Sequence, residues 1–365
     1  MRVYKRGSMT SGIFLAARLL ISLWVVLSAI KSWAASDALG RVVEGARKEG
    51  VVDAVLPSSL TPDGVSKIEK AIGAKYGVNL KINYTPARSY PQLTSQALSE
   101  FRAKVTPSYD IHVSSDSNMY DAVEGGVLEK TDWLPLLPEG TPPKVIQFSG
   151  QSVAVYTGHV GLLYHPQVIP PAEAPASLSD LGSAKWKGKS VIFPYTDLYT
   201  AYAILYGKTR IITDLKALMN NGAVVDTYPS AFRRFTLGEY PMILITSAFY
   251  SQAEKKGIPA RFKSLDFAYV TLHQLGVRKN ARHPNAAKLL IAFMSGPEAH
   301  RLWEGEVGNG NAFYPDSYEH KLALEAQKAG LKSFRWAEWP GALEFMGSKE
   351  SEGLAKEMGA ILRGQ

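Results

Sequence analysis

The chain of 365 residues contains no cysteine. That absence removes disulfides, thiolate metal centres, iron–sulfur clusters, cysteine nucleophiles and any anchor through a lipidated cysteine. Burial of apolar side chains must therefore hold the fold unaided. Familiar catalytic signatures are missing too: there is no H-E-x-x-H and no G-x-S-x-G. "GSAKWKGKS" (182–190) comes near the phosphate-binding pattern G-x4-G-K-[ST]. Five residues separate its first two glycines, however, and a strand follows where that loop needs a helix. "GEVGNGNAF" (305–313) likewise misses G-x-G-x-x-G. No run of Lys and Arg tracks a phosphate backbone, which argues against a nucleic-acid partner. The seven histidines are scattered. Asp110 and His112 share one face of an expected strand, and a lone pair of this kind reads as structural.

What is present starts with the leader. "MRVYKRG" is basic, "LLISLWVVLSAI" (19–30) is apolar, and Ser32-Trp33-Ala34 supplies a small-x-small cleavage pattern. A spanning helix wants roughly 20 apolar residues, and Arg18 and Lys31 bracket this run too tightly. Residues 1–34 are expected to be a cleaved Sec signal, with an uncleaved anchor as the alternative, and a cysteine-free exported chain suits the periplasm. Lys5-Arg6 is not a twin-arginine pair. The formal charge of +8 includes five basic and no acidic residues in that leader, leaving +3 without it. The hydrophobic fraction of 46% is ordinary for a folded core, and the length suits about two domains.

Beyond the leader the pattern alternates. Residues 38–50 read as an amphipathic helix, 51–57 as a strand, and 62–76 as a helix capped by Thr61 with Pro62 in its first turn. Strands are expected at 78–85 and 109–115, with a helix at 91–104 between them. This is the rhythm of a parallel sheet covered on both faces. A proline-rich passage (128–150) reads as surface, and "SVAVYTGHVGLLYHP" (152–166) as two short extended runs. A second α/β region follows to about 246, then an extended segment at 267–279. Helices are expected at 284–295, 297–304, 317–328 and 350–363. There is no internal repeat.

In open parallel sheets ligands bind beyond the carboxyl ends of the strands. Ser58 and Ser59 stand at such an end, directly before a helix start. Ser114, Ser115 and Asp116 repeat the arrangement, as do Tyr195, Thr196 and Asp197 in the second region. Helix starts offer free N–H groups and the positive end of a dipole. Each station is open to two readings, a cap serving the fold or a ligand contact. Arg88, with Ser89 beside it after the second strand, can fork onto a carboxylate or phosphate. Tyr195, Tyr199 and Tyr228 lie near strand ends and could stack on a ring, face a cation or sit in the core.

The second half carries more specific text. "APASLSDLGSAKWKGKSVIFP" (174–194), "FRRFTLGEYPMILIT" (232–246) and above all "GVRKNARHPNAAKLLIAFMSGPEAHRLW" (276–303) resemble passages of bacterial solute-binding proteins of ABC importers. The opening "ALGRVVEGARKEGVVDAV" is similar as well, so the resemblance spans roughly 38–315. It implies the family 1 extracellular solute-binding group, which includes ferric-iron, thiamine and polyamine binders. The implied fold is α/β of the two-lobed periplasmic-binding-protein type 2, with a two-strand hinge and the ligand in the cleft between lobes. Ferric binders of this group carry adjacent tyrosines on the second lobe, and a histidine and a carboxylate on the first. Here Phe249-Tyr250 stands where the pair is sought, and no histidine lies in 54–64. Ferric iron or another metal is therefore the alternative cargo, with Tyr250 either a contact for it or part of the cleft wall.

The sequence thus leads to a monomeric capture protein, with no catalytic residue and no cofactor, that closes on a small organic or anionic solute and delivers it to an inner-membrane permease with its ATPase. Lobe 1 is expected at 35–152, lobe 2 at 153–268, and 269–365 is expected to return to lobe 1 and add C-terminal helices. The rivals are a secreted hydrolase or transferase using the same cleft, and a sensor feeding a signalling receptor.

Overall fold

The computed structural model describes residues 37–57 and 59–365. The expected signal segment and Ser58 lie outside the described residues. The first half runs α1 (37–49), β1 (Val51–Pro57), α2 (Pro62–Tyr76), β2 (Lys81–Ala87), α3 (Tyr90–Arg102), β3 (Ile111–Ser115) and α4 (Asp116–Glu124). A short strand β4 (Ile146–Gln147) leads into the long β5 (Ser152–Tyr164). Then come α5 (Leu178–Leu181), β6 (Ser190–Ile192), α6 (Asp197–Tyr206), α7 (Lys208–Asn220), β7 (Val224–Val225) and α8 (Tyr228–Thr236). The chain continues through β8 (Met242–Thr246), α9 (Ala248–Lys255), β9 (Arg261–Lys263) and a second long strand, β10 (Ala268–Val277). It ends with α10 (Pro284–Ser295), α11 (Pro297–Leu302), α12 (Tyr318–Lys328), β11 (Ser333–Phe334), α13 (Ala342–Met346) and α14 (Lys349–Leu362).

The strands form one mixed sheet in the order β2-β1-β3-β10-β5-β8-β6-β7. Pairing is parallel within each flank (β1 with β2 and β3, β6 with β7 and β8) and antiparallel through the middle. There β3 meets β10, β10 meets β5, and β5 meets β8. The two long strands therefore cross between two cores. β5 gives Val153 and Val155 to the first core, with β1–β3, α2 and α10, and gives Val160, Leu162 and Tyr164 to the second. β10 makes the reverse passage, from Tyr269 in the second core to Leu275 and Val277 in the first. Two apolar cores bridged by two strands make a two-lobed α/β architecture.

Three sequence expectations change. β5 is one continuous strand of 13 residues, although Gly158 and Gly161 weaken a strand by themselves. Both glycines answer to packing. A Cβ on Gly161 would run into the Lys263 carbonyl of β9, and one on Gly158 would stand 3.1 Å from Thr246 Oγ1. Gly161→Ala should accordingly cost about 1–3 kcal/mol by overpacking, read as a lower urea midpoint with an unchanged m-value. The proline-rich 128–150 passage is not all surface. Trp133 and Leu136 are buried in the first core, and Trp133 Nε1 donates to the Gly150 carbonyl at 2.8 Å. Finally, residues 269–365 do not return to the first lobe as one block. β11 adds to β10 at Ala268 and Tyr269, and Phe334, Trp336, Leu354 and Met358 join the second core. The α14 stripe Leu354-Met358-Ile361 packs against α6 and α7, which supply the apolar face it needs.

Candidate functional site

A cleft of about 590 Å³ opens between the two cores, within the roughly 300–1,000 Å³ usual for small-molecule sites. Its floor is one face of the crossing strands. Side chains on a strand alternate between faces, so Tyr156, Gly158 and Val160 of β5 face the cleft, opposite His273, Thr271 and Tyr269 of β10. Tyr156 and His273 are register partners, and their rings stack at 4.2 Å and 17°. Tyr90, from the first turn of α3, reaches the same point, its hydroxyl 3.0 Å from His273 Nδ1. Burial pushes His273 down to about 4 and Tyr90 up to about 12, so both are neutral at pH 7. The β5–β10 register shifts between His273 and Gln274, leaving Val155 as the extra residue of a bulge beside the stack.

The first lobe supplies one wall from its strand ends. Thr61 caps α2, its Oγ1 accepting from Gly64 N at 3.2 Å, so Ser59 is not spent on that helix. Ser59 faces the cleft and accepts from Asn309 Nδ2 at 3.2 Å. Ser89 caps α3, accepting from Gln92 N at 3.5 Å, yet still lines the cleft beside the exposed Arg88. Ser115 precedes α4 but makes no side-chain cap bond, so its hydroxyl remains available to the cavity.

The second lobe supplies an aromatic wall. Tyr195 stacks on Phe193 at 5.9 Å and meets the edge of Tyr228 at 5.1 Å, and Phe249 lies 6.3 Å from Tyr228. Asp197 opens α6 and faces the cavity, where the loss of hydration raises its pKa. Gln252 and Thr246 complete this side.

A model of the bacterial extracellular solute-binding proteins matches residues 67–319. The chain belongs to that family. Its fold agrees with solved structures of solute-binding proteins at low identity. Iron-bound HitA from Pseudomonas aeruginosa is 21% identical with a TM-score of 0.59, over 86% of this chain and 99% of that one. AgtB from Agrobacterium tumefaciens R10, in complex with agropinic acid, is 15% identical with a TM-score of 0.63, over 86% and 98%. The substrate-binding protein of an ABC transporter from Agrobacterium tumefaciens is 15% identical with a TM-score of 0.66, over 86% and 95%. No curated protein matches the sequence. Among the described residues of this solute-binding protein, no helix is long and apolar enough to cross a membrane.

Of the residues singled out from the sequence, Ser59, Arg88, Ser89, Ser115, Tyr195 and Tyr228 line the cleft. Ser58 lies outside the described residues. Ser114, Thr196 and Tyr250 are not brought there. Strand alternation turns Ser114 into the interior, fully buried. The Thr196 carbonyl receives Thr200 N and Oγ1 inside α6 while its neighbour Asp197 takes the cleft position. One residue is a 100° step on a helix, and on α9 that step puts Ala248, Phe249 and Gln252 toward the cavity. Tyr250 turns away, donating to Glu254 Oε1 at 2.7 Å and packing on Phe262. The sequence reading missed the whole floor. Its signal was the alternation Tyr156-x-Gly158-x-Val160 and Tyr269-x-Thr271-x-His273 in two strands too long for either lobe alone.

Two polar clusters elsewhere are structural. Asp53, Asp110 and His283 bring their donor atoms within 4.8 Å of one another. Asp110 is nevertheless saturated by N–H groups, and Arg282 already holds Asp53 at 2.8 Å, so a cation would have to displace a guanidinium. His159, Ser247 and Glu319, all fully buried, tie α12 to β5 and to the start of α9. The serine there bonds to the carboxylate and not to the imidazole side chain, unlike a nucleophile and its base.

Proposed function

We propose that this solute-binding protein is the periplasmic capture component of an ABC importer. It takes a small organic or anionic solute into the cleft and presents the closed form to an inner-membrane permease driven by an ATPase. It acts as a monomer, with lobes of about 35–152 and 153–268 and with α10 and α11 completing the first, and it does no chemistry on its cargo. The observation that carries this reading is a polar-and-aromatic cavity walled by both cores and floored by the only two long strands joining them among the described residues. Rotation about β5 and β10, near the Val155 bulge, changes the gap between the walls without unpacking either core. A solute touching both walls shifts the population toward closed.

Metal cargo is disfavoured by Phe249, which has no donor atom where a phenolate would be needed, and by Tyr250, which is committed to Glu254. Against a hydrolase, the cleft imidazole His273 pairs with a tyrosine hydroxyl and stacks on a second tyrosine. The test joins native mass spectrometry of the purified mature chain with small-angle scattering. A solute that co-purifies, when added back at about a hundred times its Kd, should shrink the radius of gyration and add roughly 2.7 kcal/mol of stability. Turnover of that solute, or binding with no compaction, would overturn the reading.

A further inference from the structure

Among the described residues lining the cleft, two side chains carry a formal charge, Arg88 on the first lobe and Asp197 on the second. Neither forms an ion pair with another described residue. His273, the other titratable nitrogen there, is neutral at pH 7. The surroundings of the two charges differ in kind. On the same first-lobe wall as Arg88 stand Ser89 and Ser115, hydroxyl groups that can donate to an anion, and the Ser115 hydroxyl is not used in capping. On the Asp197 side stand Tyr195, Tyr228 and Phe249, whose π faces favour a cation. A ligand of one sign would satisfy one wall and leave the other charge unpaired on closure, which is costly.

We infer that the cargo is a small zwitterion, its carboxylate or phosphonate held by Arg88 and its amine or quaternary ammonium held by Asp197 and the tyrosine faces. This rests on the capture reading above and narrows it. Each charge engages a different lobe, so the two ends must be present in one molecule for closure.

The test uses the mature chain with short ω-amino carboxylates and aminoalkylphosphonates, each paired with its N-acetyl and its methyl-ester derivative, read by calorimetry and scattering. At least one parent zwitterion should bind and compact the protein. Masking either end should weaken binding tenfold or more, as expected for losing a charge-assisted contact, and should abolish compaction. Arg88→Gln and Asp197→Asn should each weaken the parent tenfold or more with unchanged thermal midpoints. Asp197→Asn should leave affinity for the N-acetyl derivative unaltered. The inference is overturned if an N-acetyl derivative binds and compacts as well as its parent, if Asp197→Asn binds the parent normally, or if no zwitterion of the set binds. In the first two outcomes the protein still closes on a solute, so capture survives. If in addition nothing co-purifies with the native protein, the capture reading falls with it.

Discussion

Asp110→Ala should destabilise the protein by about 3–5 kcal/mol without changing the cleft. The carboxylate is almost fully buried just before β3 and accepts four bonds. They come from Asp53 N at 2.8 Å, Arg282 N at 2.8 Å, His283 N at 3.1 Å and His283 Nδ1 at 2.8 Å. Three of those donors are main-chain groups that cannot move away, and the third and fourth lead directly into α10. Next to them Glu49 receives Asn285 N and Ala286 N, the other free donors of that helix start. Truncating Asp110 leaves several buried donors unpaired at about 1–3 kcal/mol each, partly relieved by entering water. Asp110→Asn should cost less, because one carbonyl oxygen still accepts while the amide faces a donor. Urea unfolding measures both, and neither variant should change solute affinity, since none of these residues lines the cavity. An Asp110→Ala protein within about 1 kcal/mol of wild type would mean the network is solvated. The His283-Pro284-Asn285 text of the family-like passage is thus a device for seating a helix on the first core. None of these three residues lines the cleft.

How much was legible followed the range of the interaction. The strand-end stations were readable because a strand, a small hydroxyl residue and a helix start lie within a few residues of each other. Thr61 caps α2 as its local sequence suggests, whereas Ser89, read from the sequence as a ligand contact, also caps α3. The cleft floor was not readable, because Tyr156 and His273 are more than a hundred positions apart and meet through a strand pairing that spans both lobes. β5 looked broken because its glycines are intrinsically poor in strands. Only the approach of the Lys263 carbonyl and Thr246 shows why no side chain fits there. Tyr250 was misplaced by one helical step, since the strand-to-helix turn at Ser247 sets the phase of α9 and the sequence does not reveal it. The fate of 333–362 was hidden for a related reason. An amphipathic helix states that it has an apolar face, not which core receives it.

Stability should fall as the pH drops from 6.5 to 4.5, with a slope that buried histidines and buried carboxyl groups set against each other. Burial holds His273 down at about 4, and burial aided by Arg278 holds His112 at about 3, both from an ordinary value of 6.5. A histidine kept neutral by the fold binds its proton in the unfolded chain first, so stability is full above 6.5 and is lost as pH falls toward the folded pKa. Each contributes a slope of about 1.4 kcal/mol per pH unit across this window, and His300, also depressed by burial, acts in the same direction. Asp116 opposes them, as do Asp197 and Asp121, whose carboxyl groups burial also raises. Asp116 is fully buried, accepts from Leu272 N at 3.2 Å and Gln274 Nε2 at 2.8 Å, and is raised by burial from 3.8 to about 7. Its native state therefore holds a proton that the unfolded chain releases, and its contribution grows as pH falls from 7 toward 3.8. Glu100 and Asp226, held below their usual values, act only in more acidic solution. Asp116→Asn removes the opposing proton and should steepen the loss by about 1.4 kcal/mol per unit, while His273→Asn should flatten it by the same amount. Urea midpoints between pH 4.5 and 6.5, taken as differences from wild type, isolate each group from the common background. Parallel lines for wild type and Asp116→Asn would mean that Asp116 is ionised throughout and that the Leu272 N–H bond and the Arg335 charge, which lower its pKa, outweigh burial.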